Sequence, residues 1–136
     1  MEIVYDLNEV DAVGKWLRAN VSSKILLFKG EMGAGKTTLI KSFVKALESD
    51  DEVSSPTFSI VNEYESRQGT IYHFDLYRIE DIEEVYNFGI EDYLNSDSWI
   101  LIEWPELIKE MIFEKFDEIM VTIKGNSSRN LKLNYC

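Results

Sequence analysis

Apolar positions change their period several times along this chain, and each change predicts an element. Val10, Val13 and Leu17 follow one another at steps of three and four beside Ala12 and Trp16. That is the face of an amphipathic helix, with Asn8 as its candidate N-cap and Asp11 in its first turn. The unbroken run Ile25-Leu26-Leu27-Phe28 predicts a buried strand, and Leu39, Ile40, Phe43, Val44 and Leu47 return to helical spacing. A polar stretch, Glu48-Ser49-Asp50-Asp51-Glu52, closes this second helix. Residues 57–64 and 70–77 are rich in β-formers about Ser66-Arg67-Gln68-Gly69, which predicts an antiparallel hairpin. Acidic residues from Glu80 to Glu84 open a short helical region ending near Gly89, and residues 98–103 supply another apolar strand. The spacing predicts a helix over 107–116. Two alternating stretches, Ile119, Val121, Ile123 and then Leu131, Leu133, Tyr135, flank Gly125-Asn126-Ser127-Ser128 and predict closing strands.

Strands and helices in this order point to a small α/β fold, a mixed parallel and antiparallel sheet flanked by helices. The 136 residues fit one domain, expected to span 1–136, with enough chain to bury a core without disulfides or a structural metal. No apolar run is long enough to span a bilayer, and the N-terminus has neither a basic region nor an apolar signal segment, so a cytoplasmic location is expected. Cys136, the single cysteine, leaves no internal disulfide and no multi-cysteine zinc site. The formal net charge is −11, with acidic residues spread along the chain. A surface of that sign repels polyanions and disfavours direct, tight nucleic-acid binding, so a partner is expected to hold any nucleic-acid target. A basic protein surface is the complementary docking site.

Between the buried strand and the second helix stands Gly30-Glu31-Met32-Gly33-Ala34-Gly35-Lys36-Thr37, a complete G-x-x-x-x-G-K-[ST] pattern. Glycines at such a strand-to-helix turn let the backbone curl so that successive N–H groups of residues 31–38 face phosphates. The new helix adds its positive dipole end at the same spot. The nucleotide-binding candidates are therefore Glu31, Met32, Gly33, Ala34, Gly35, Lys36, Thr37 and Thr38. Lys36 reaches the outer phosphates in this pattern, and the Thr37 hydroxyl ligates Mg²⁺.

Hydrolysis or transfer also requires carboxylates for the metal and the attacking water. Glu103 ends the apolar run Trp99-Ile100-Leu101-Ile102, which places it at the carboxyl edge of a central strand, where α/β sheets bind ligands. Asp75 lies in Tyr72-His73-Phe74-Asp75-Leu76-Tyr77-Arg78, where alternation puts Ile71, His73, Asp75 and Tyr77 on one face. Two readings of Asp75 stand side by side: Mg²⁺ coordination, or pairing with Arg78 and local backbone groups. His73 reads as a hydrogen-bonded packing residue more readily than as a base. Thr57, in Ser54-Ser55-Pro56-Thr57-Phe58, is a candidate sensor of γ-phosphate or metal. Trp104 either covers the nucleotide or packs, and Arg129 is open to phosphate, to a partner or to no special role.

Taken together, these segments resemble the bacterial TsaE family, the ATPase component of tRNA threonylcarbamoyladenosine synthesis. The resemblance rests on Gly30 to Thr38, Ser55 to Phe58, His73 to Arg78, and Glu103-Trp104-Pro105-Glu106, in that order. It implies a P-loop NTPase fold, ATP with Mg²⁺, and modest ATPase activity alone. It also implies association with TsaB and TsaD, which together modify adenosine next to the anticodon of ANN-decoding tRNAs, with tRNA reached only through the complex. By matching position it assigns Lys36 and Thr37 to phosphate and metal, Asp75 and Glu103 to metal or water, and Thr57 to a switch. Carbamoyl transfer is implied to belong to TsaD. The family tends to carry a Gly-Arg pair before the last strand, whereas here Asn126-Ser127-Ser128 separates Gly125 from Arg129.

The rivals are a small-molecule kinase, which the scattered arginines and short chain disfavour, and a nucleotide-gated binding module with little turnover. A GTPase is excluded more firmly, since no Asn-Lys-x-Asp base-reading motif is present.

Overall fold

The computed structural model describes residues 1–54 and 60–135. Its strands are β1 (Glu2–Asp6), β2 (Ile25–Lys29), β3 (Val61–Ser66), β4 (Gly69–Asp75), β5 (Trp99–Glu103), β6 (Asp117–Ile123) and β7 (Ser128–Tyr135). They form one 7-stranded sheet of order β1-β7-β6-β2-β5-β4-β3. The central strands β6, β2, β5 and β4 are parallel. β3 and the β7–β1 pair extend the two edges antiparallel. Helices α1 (Val10–Asn20) and α2 (Lys36–Ala46) cover one face, and α3 (Ile82–Asn87) and α4 (Ile90–Leu94) the other. The mixed sheet flanked by helices is the α/β architecture expected from the sequence.

β2 shows why its run is apolar throughout. Leu26 and Phe28 join Leu17, Leu39 and Phe43 in the core on the α1–α2 side, while Ile25 and Leu27 join Phe74, Ile102 and Ile108 on the other. A strand covered on both faces has no polar side to alternate with. The hairpin is tight: Ser66 pairs with Gly69 across the two residues Arg67 and Gln68. Among the described residues, no helix is long and apolar enough to cross a membrane.

Several local expectations are corrected. In place of a helix over 107–116 there are two 3₁₀ turns, Pro105–Leu107 and Lys109–Met111, with Ile112 already extended. Only Pro105, Ile108 and Ile112 of this stretch find full burial, and Phe113 is 92% exposed, so no continuous helical face has a core to meet. Asn8 does not cap α1 but lies inside a 3₁₀ turn, Leu7–Glu9, capped by Asp6, whose backbone N–H donates to Glu9 Oε1 at 2.9 Å; Glu9 is the residue that precedes α1. β1 carries little apolar signal because it is an edge strand, burying only Tyr5 against β7. α4 continues past Gly89, which caps it in a left-handed conformation. β3 begins at Val61; the expected strand start at residues 57–59, Thr57 itself and Cys136 lie outside the described residues.

Candidate functional site

The loop between β2 and α2 is shaped by two glycines. Gly30 has φ 146°, and a Cβ there would stand 2.6 Å from the Val121 carbonyl oxygen, so β6 approaches too closely for any side chain. Gly35, with φ 100°, sits in the left-handed region where the chain enters α2, and its carbonyl accepts from Leu39 N–H at 3.0 Å as the first helical bond. Ala34 N–H donates to the Glu31 carbonyl at 3.1 Å and tightens the turn. The loop walls a cavity of about 310 Å³, whose lining includes Met32, Gly33, Gly35, Lys36, Thr37 and Thr38. Glu31 and Ala34 shape the loop through their backbone.

The opposite wall comes from the carboxyl ends of β4 and β5. Asp75 and Glu103 are cross-strand neighbours, and Glu103 is also level with Phe28 at the end of β2, so the sheet brings both acids to the loop. Glu103 is 3% exposed. Its Oε1 accepts from the Thr37 hydroxyl at 3.3 Å, and its Oε2 lies 2.8 Å from His73 Nε2. His73 is wholly buried, and its Nδ1 is 3.1 Å from the Tyr64 hydroxyl, which also reaches the Ser54 carbonyl at 3.0 Å. A carboxylate accepts only, so Nε2–H is the donor and the ring is held between two fixed partners. His73 is thus the hydrogen-bonded packing residue expected, with an added role in aiming Glu103.

Asp75 has the local backbone partner that one of its readings expected. Its Oδ1 accepts from Tyr77 N–H at 3.0 Å while the carboxyl lines the cavity. Burial lifts its pKa above the ordinary carboxylate value, reinforced by the Glu103 charge; the Tyr77 N–H, His73 and Lys36 oppose the rise. Lys36 is lowered from the usual lysine value, chiefly by burial, with Glu103, Asp75 and Glu106 pulling the other way.

Trp104 follows Glu103 with φ 57°, a conformation that costs a bulky residue roughly 1–3 kcal/mol and persists only where the surrounding structure over-determines it. Proline at the next position disfavours the right-handed helical alternative. The turn swings the indole over the cavity, where it packs on Tyr77 with ring centroids 4.9 Å apart. The Lys36 ammonium lies 3.6 Å from the Trp104 ring centroid and donates to the Gly30 carbonyl. The packing expected of Trp104 is thus present, and its ring lines the cavity as well.

Arg129 is the residue the sequence reading undervalued. It is buried, its Nε–H donates to the Ala34 carbonyl at 2.9 Å, and Nη1 donates to the carbonyls of Gly125 and Ser128 at 3.2 and 3.0 Å. The residues between Gly125 and Arg129 form the β6–β7 turn, so Gly125 and Arg129 meet in space although separated in sequence.

A family model described as threonylcarbamoyl adenosine biosynthesis protein TsaE matches residues 4–131. The chain is 40% identical over 119 residues to a Haemophilus influenzae protein named tRNA threonylcarbamoyladenosine biosynthesis protein TsaE, covering 86% of this chain and 74% of that protein. It is 34% identical over 131 residues to the Rickettsia felis protein of the same name, covering 95% and 76% respectively. Among solved structures it is similar to Bacillus subtilus YdiB, with a TM-score of 0.72 and 26% identity over 99% of this chain and 86% of that one. With a P-loop NTPase-like sheet and a glycine loop facing two carboxylates, the chain belongs to the TsaE family of tRNA threonylcarbamoyladenosine biosynthesis.

Proposed function

We propose that this protein is a Mg²⁺-dependent ATPase that acts with TsaB and TsaD in threonylcarbamoylation of adenosine next to the anticodon of ANN-decoding tRNAs. One observation carries the nucleotide reading: the glycine loop, Lys36, Thr37, Asp75 and Glu103 line a single cavity at the carboxyl edge of parallel strands. The family and the acidic surface support action within an assembly, in which tRNA is held by a partner and TsaD performs the carbamoyl transfer.

The donor set fits Mg²⁺, which takes hard oxygen ligands and retains water and phosphate in its shell. The Thr37 hydroxyl and the Glu103 carboxylate already stand 3.3 Å apart, with Asp75 beside them in register. Among the described residues no group of three or more His, Cys, Asp and Glu side chains is placed to hold a metal. When bound, the cation neutralises charge on the β- and γ-phosphates. The loop N–H groups bind those phosphates, and Lys36 reaches them by leaving the Gly30 carbonyl and the Trp104 face. Glu103, aimed by His73, accepts a hydrogen bond from the attacking water and orients it in line with the γ-phosphorus, and Asp75 supports the same shell. Thr57 is assigned to the nucleotide-sensing switch.

ATP turnover by the protein alone and with purified TsaB, TsaD and tRNA tests this reading, with Lys36→Ala as the blank. Lys36-dependent turnover that rises with the partners is expected. Partners that neither bind nor change turnover would remove the assembly reading, and absence of Lys36-dependent ATP binding would remove the nucleotide reading as well.

A further inference from the structure

We propose that Arg129 is a positioning residue for phosphate binding: it fixes the Ala34–Gly35 peptide plane so that the Gly35 N–H faces the cavity. This rests on the nucleotide reading above and adds to it a residue from outside the glycine motif. In a trans peptide the carbonyl of one residue and the N–H of the next point in opposite directions. The Ala34 carbonyl is tied to Arg129 Nε at 2.9 Å, behind the loop. Ala34 itself is fully buried, whereas Gly35 lines the cavity. A Cβ built on Gly35 would meet Leu7 and Arg129 Nε at 3.8 and 3.9 Å, so Arg129 stands against the back of the same residue. Holding the carbonyl back turns the Gly35 N–H forward.

The brace is itself fixed. Nη1 donates to the Gly125 and Ser128 carbonyls at 3.2 and 3.0 Å, which spreads the planar guanidinium between the loop and the β6–β7 turn. Arg129 pairs in register with Ile123 on β6 and Tyr5 on β1, so it projects from the interior of the sheet rather than from a mobile edge. A buried cation is expensive unless hydrogen-bonded, and here the carbonyls of Ala34, Gly125 and Ser128 accept from it. Without such a brace a glycine-rich loop is free to flip this peptide, since Gly35 imposes no steric preference of its own. A flipped plane would aim a carbonyl oxygen at the phosphates in place of a donor.

The test uses the full chain and Mg²⁺-ATP as the probe, with affinity measured by calorimetry and the Gly35 amide followed by NMR in the free and bound protein. Four proteins are compared at a temperature where urea unfolding shows each to be folded: wild type, Arg129→Met, Arg129→Lys and Leu133→Ala. Leu133 is a core residue on the same strand, four residues along from Arg129, and pairs in register with Ile119 rather than with the loop. Arg129→Met is expected to weaken ATP binding by about tenfold to a hundredfold, by analogy with the loss when outer-shell supports of metal ligands are removed. It should also shift the Gly35 amide in the free protein. Arg129→Lys keeps the charge but not the fork, and is expected to remain several-fold weaker than wild type. Leu133→Ala is expected to lose stability and keep its ATP affinity. The inference is overturned if Arg129→Met binds within twofold of wild type, if lysine restores full affinity, or if Leu133→Ala weakens binding equally. A wild type that binds no ATP at all overturns the nucleotide reading and this inference together.

Discussion

Replacing His73 with leucine should separate Glu103 from the partner that aims it while keeping the volume at that site nearly constant. His73 is wholly buried and Glu103 3% exposed, and their contact is 2.8 Å. A hydrogen bond to a charged group contributes about 1.5–3 kcal/mol, and stripping a fully buried ion of its partner costs about 3–5 kcal/mol. Glu103 borders the cavity and retains the Thr37 hydroxyl at 3.3 Å, so the lower range applies. Tyr64 keeps the Ser54 carbonyl at 3.0 Å and loses little. The expected destabilisation is about 2 kcal/mol, of which about 1.5 kcal/mol should appear as coupling between His73→Leu and Glu103→Leu, which leaves no acceptor, in a double-mutant cycle. Urea unfolding followed by tryptophan fluorescence measures the stabilities. ATP turnover should fall about tenfold or more in His73→Leu, because a carboxylate that is free to rotate orients water poorly. Additive stabilities in the cycle, together with wild-type turnover in His73→Leu, would refute the aiming role.

Gly14→Ala brings a Cβ to 2.5 Å from the Ser42 carbonyl oxygen where α1 crosses α2, and backbone on both sides leaves nothing to yield. Overpacking should outweigh the gain of roughly 1 kcal/mol in helix propensity, for a net loss of about 1–2 kcal/mol; a stabilised variant would show that the helices separate freely. Asp75→Asn carries a pH signature. The folded-state pKa of Asp75 lies above its unfolded value, so between the two the folded state holds the proton and the unfolded state has released it. Wild-type stability therefore falls as pH rises through that window, and the asparagine variant should gain on wild type from pH 4 to pH 7. Urea midpoints at the two pH values measure this, and a constant difference would remove the burial argument.

What the sequence made legible was whatever depends on local periodicity or on a motif with its own geometry. The β2 run, the α2 spacing and the hairpin around Arg67 and Gln68 all carry their patterns within a few residues, and the Gly30 to Thr37 loop lies where those patterns placed it. The acids were legible because a carboxylate ending an apolar strand must emerge at the sheet edge, and Asp75 and Glu103 do so as cross-strand neighbours. The stretch after Trp104 misled because Leu107, Ile108, Met111 and Ile112 imitate a helical face, while the surface they meet accommodates only Ile108 and Ile112 fully. His73 and Arg129 were visible as residues but not as roles. Their contacts span sequence separations of 30 and 95 residues, and no periodicity reports which atom a buried side chain reaches across the sheet. Arginine is also seldom buried, so an isolated one reads as surface by default.

The two acids to which the proposed function assigns metal and water would also oppose the phosphates. Lys36 and Arg129 contact the loop, whereas Asp75 and Glu103 line the same cavity into which the phosphates would enter. A unit charge about 5 Å from a phosphate oxygen repels it by roughly 3 kcal/mol at an effective dielectric of 20, and solvent at the cavity mouth reduces this to about 1–2 kcal/mol. ATP binding and cation binding should therefore be linked, each strengthening the other by the same factor. Asp75→Asn removes one of the opposing charges and one metal-facing oxygen at once. In EDTA it should bind ATP about tenfold more tightly than wild type, and with saturating Mg²⁺ it should lose that advantage and turn over more slowly. Glu103→Gln should show the same crossing. Calorimetric titrations of ATP with and without Mg²⁺ measure both arms for each variant. If Asp75→Asn weakens ATP binding equally in both conditions, the carboxylate is not facing the phosphates, and its place in the proposed metal shell must be given up.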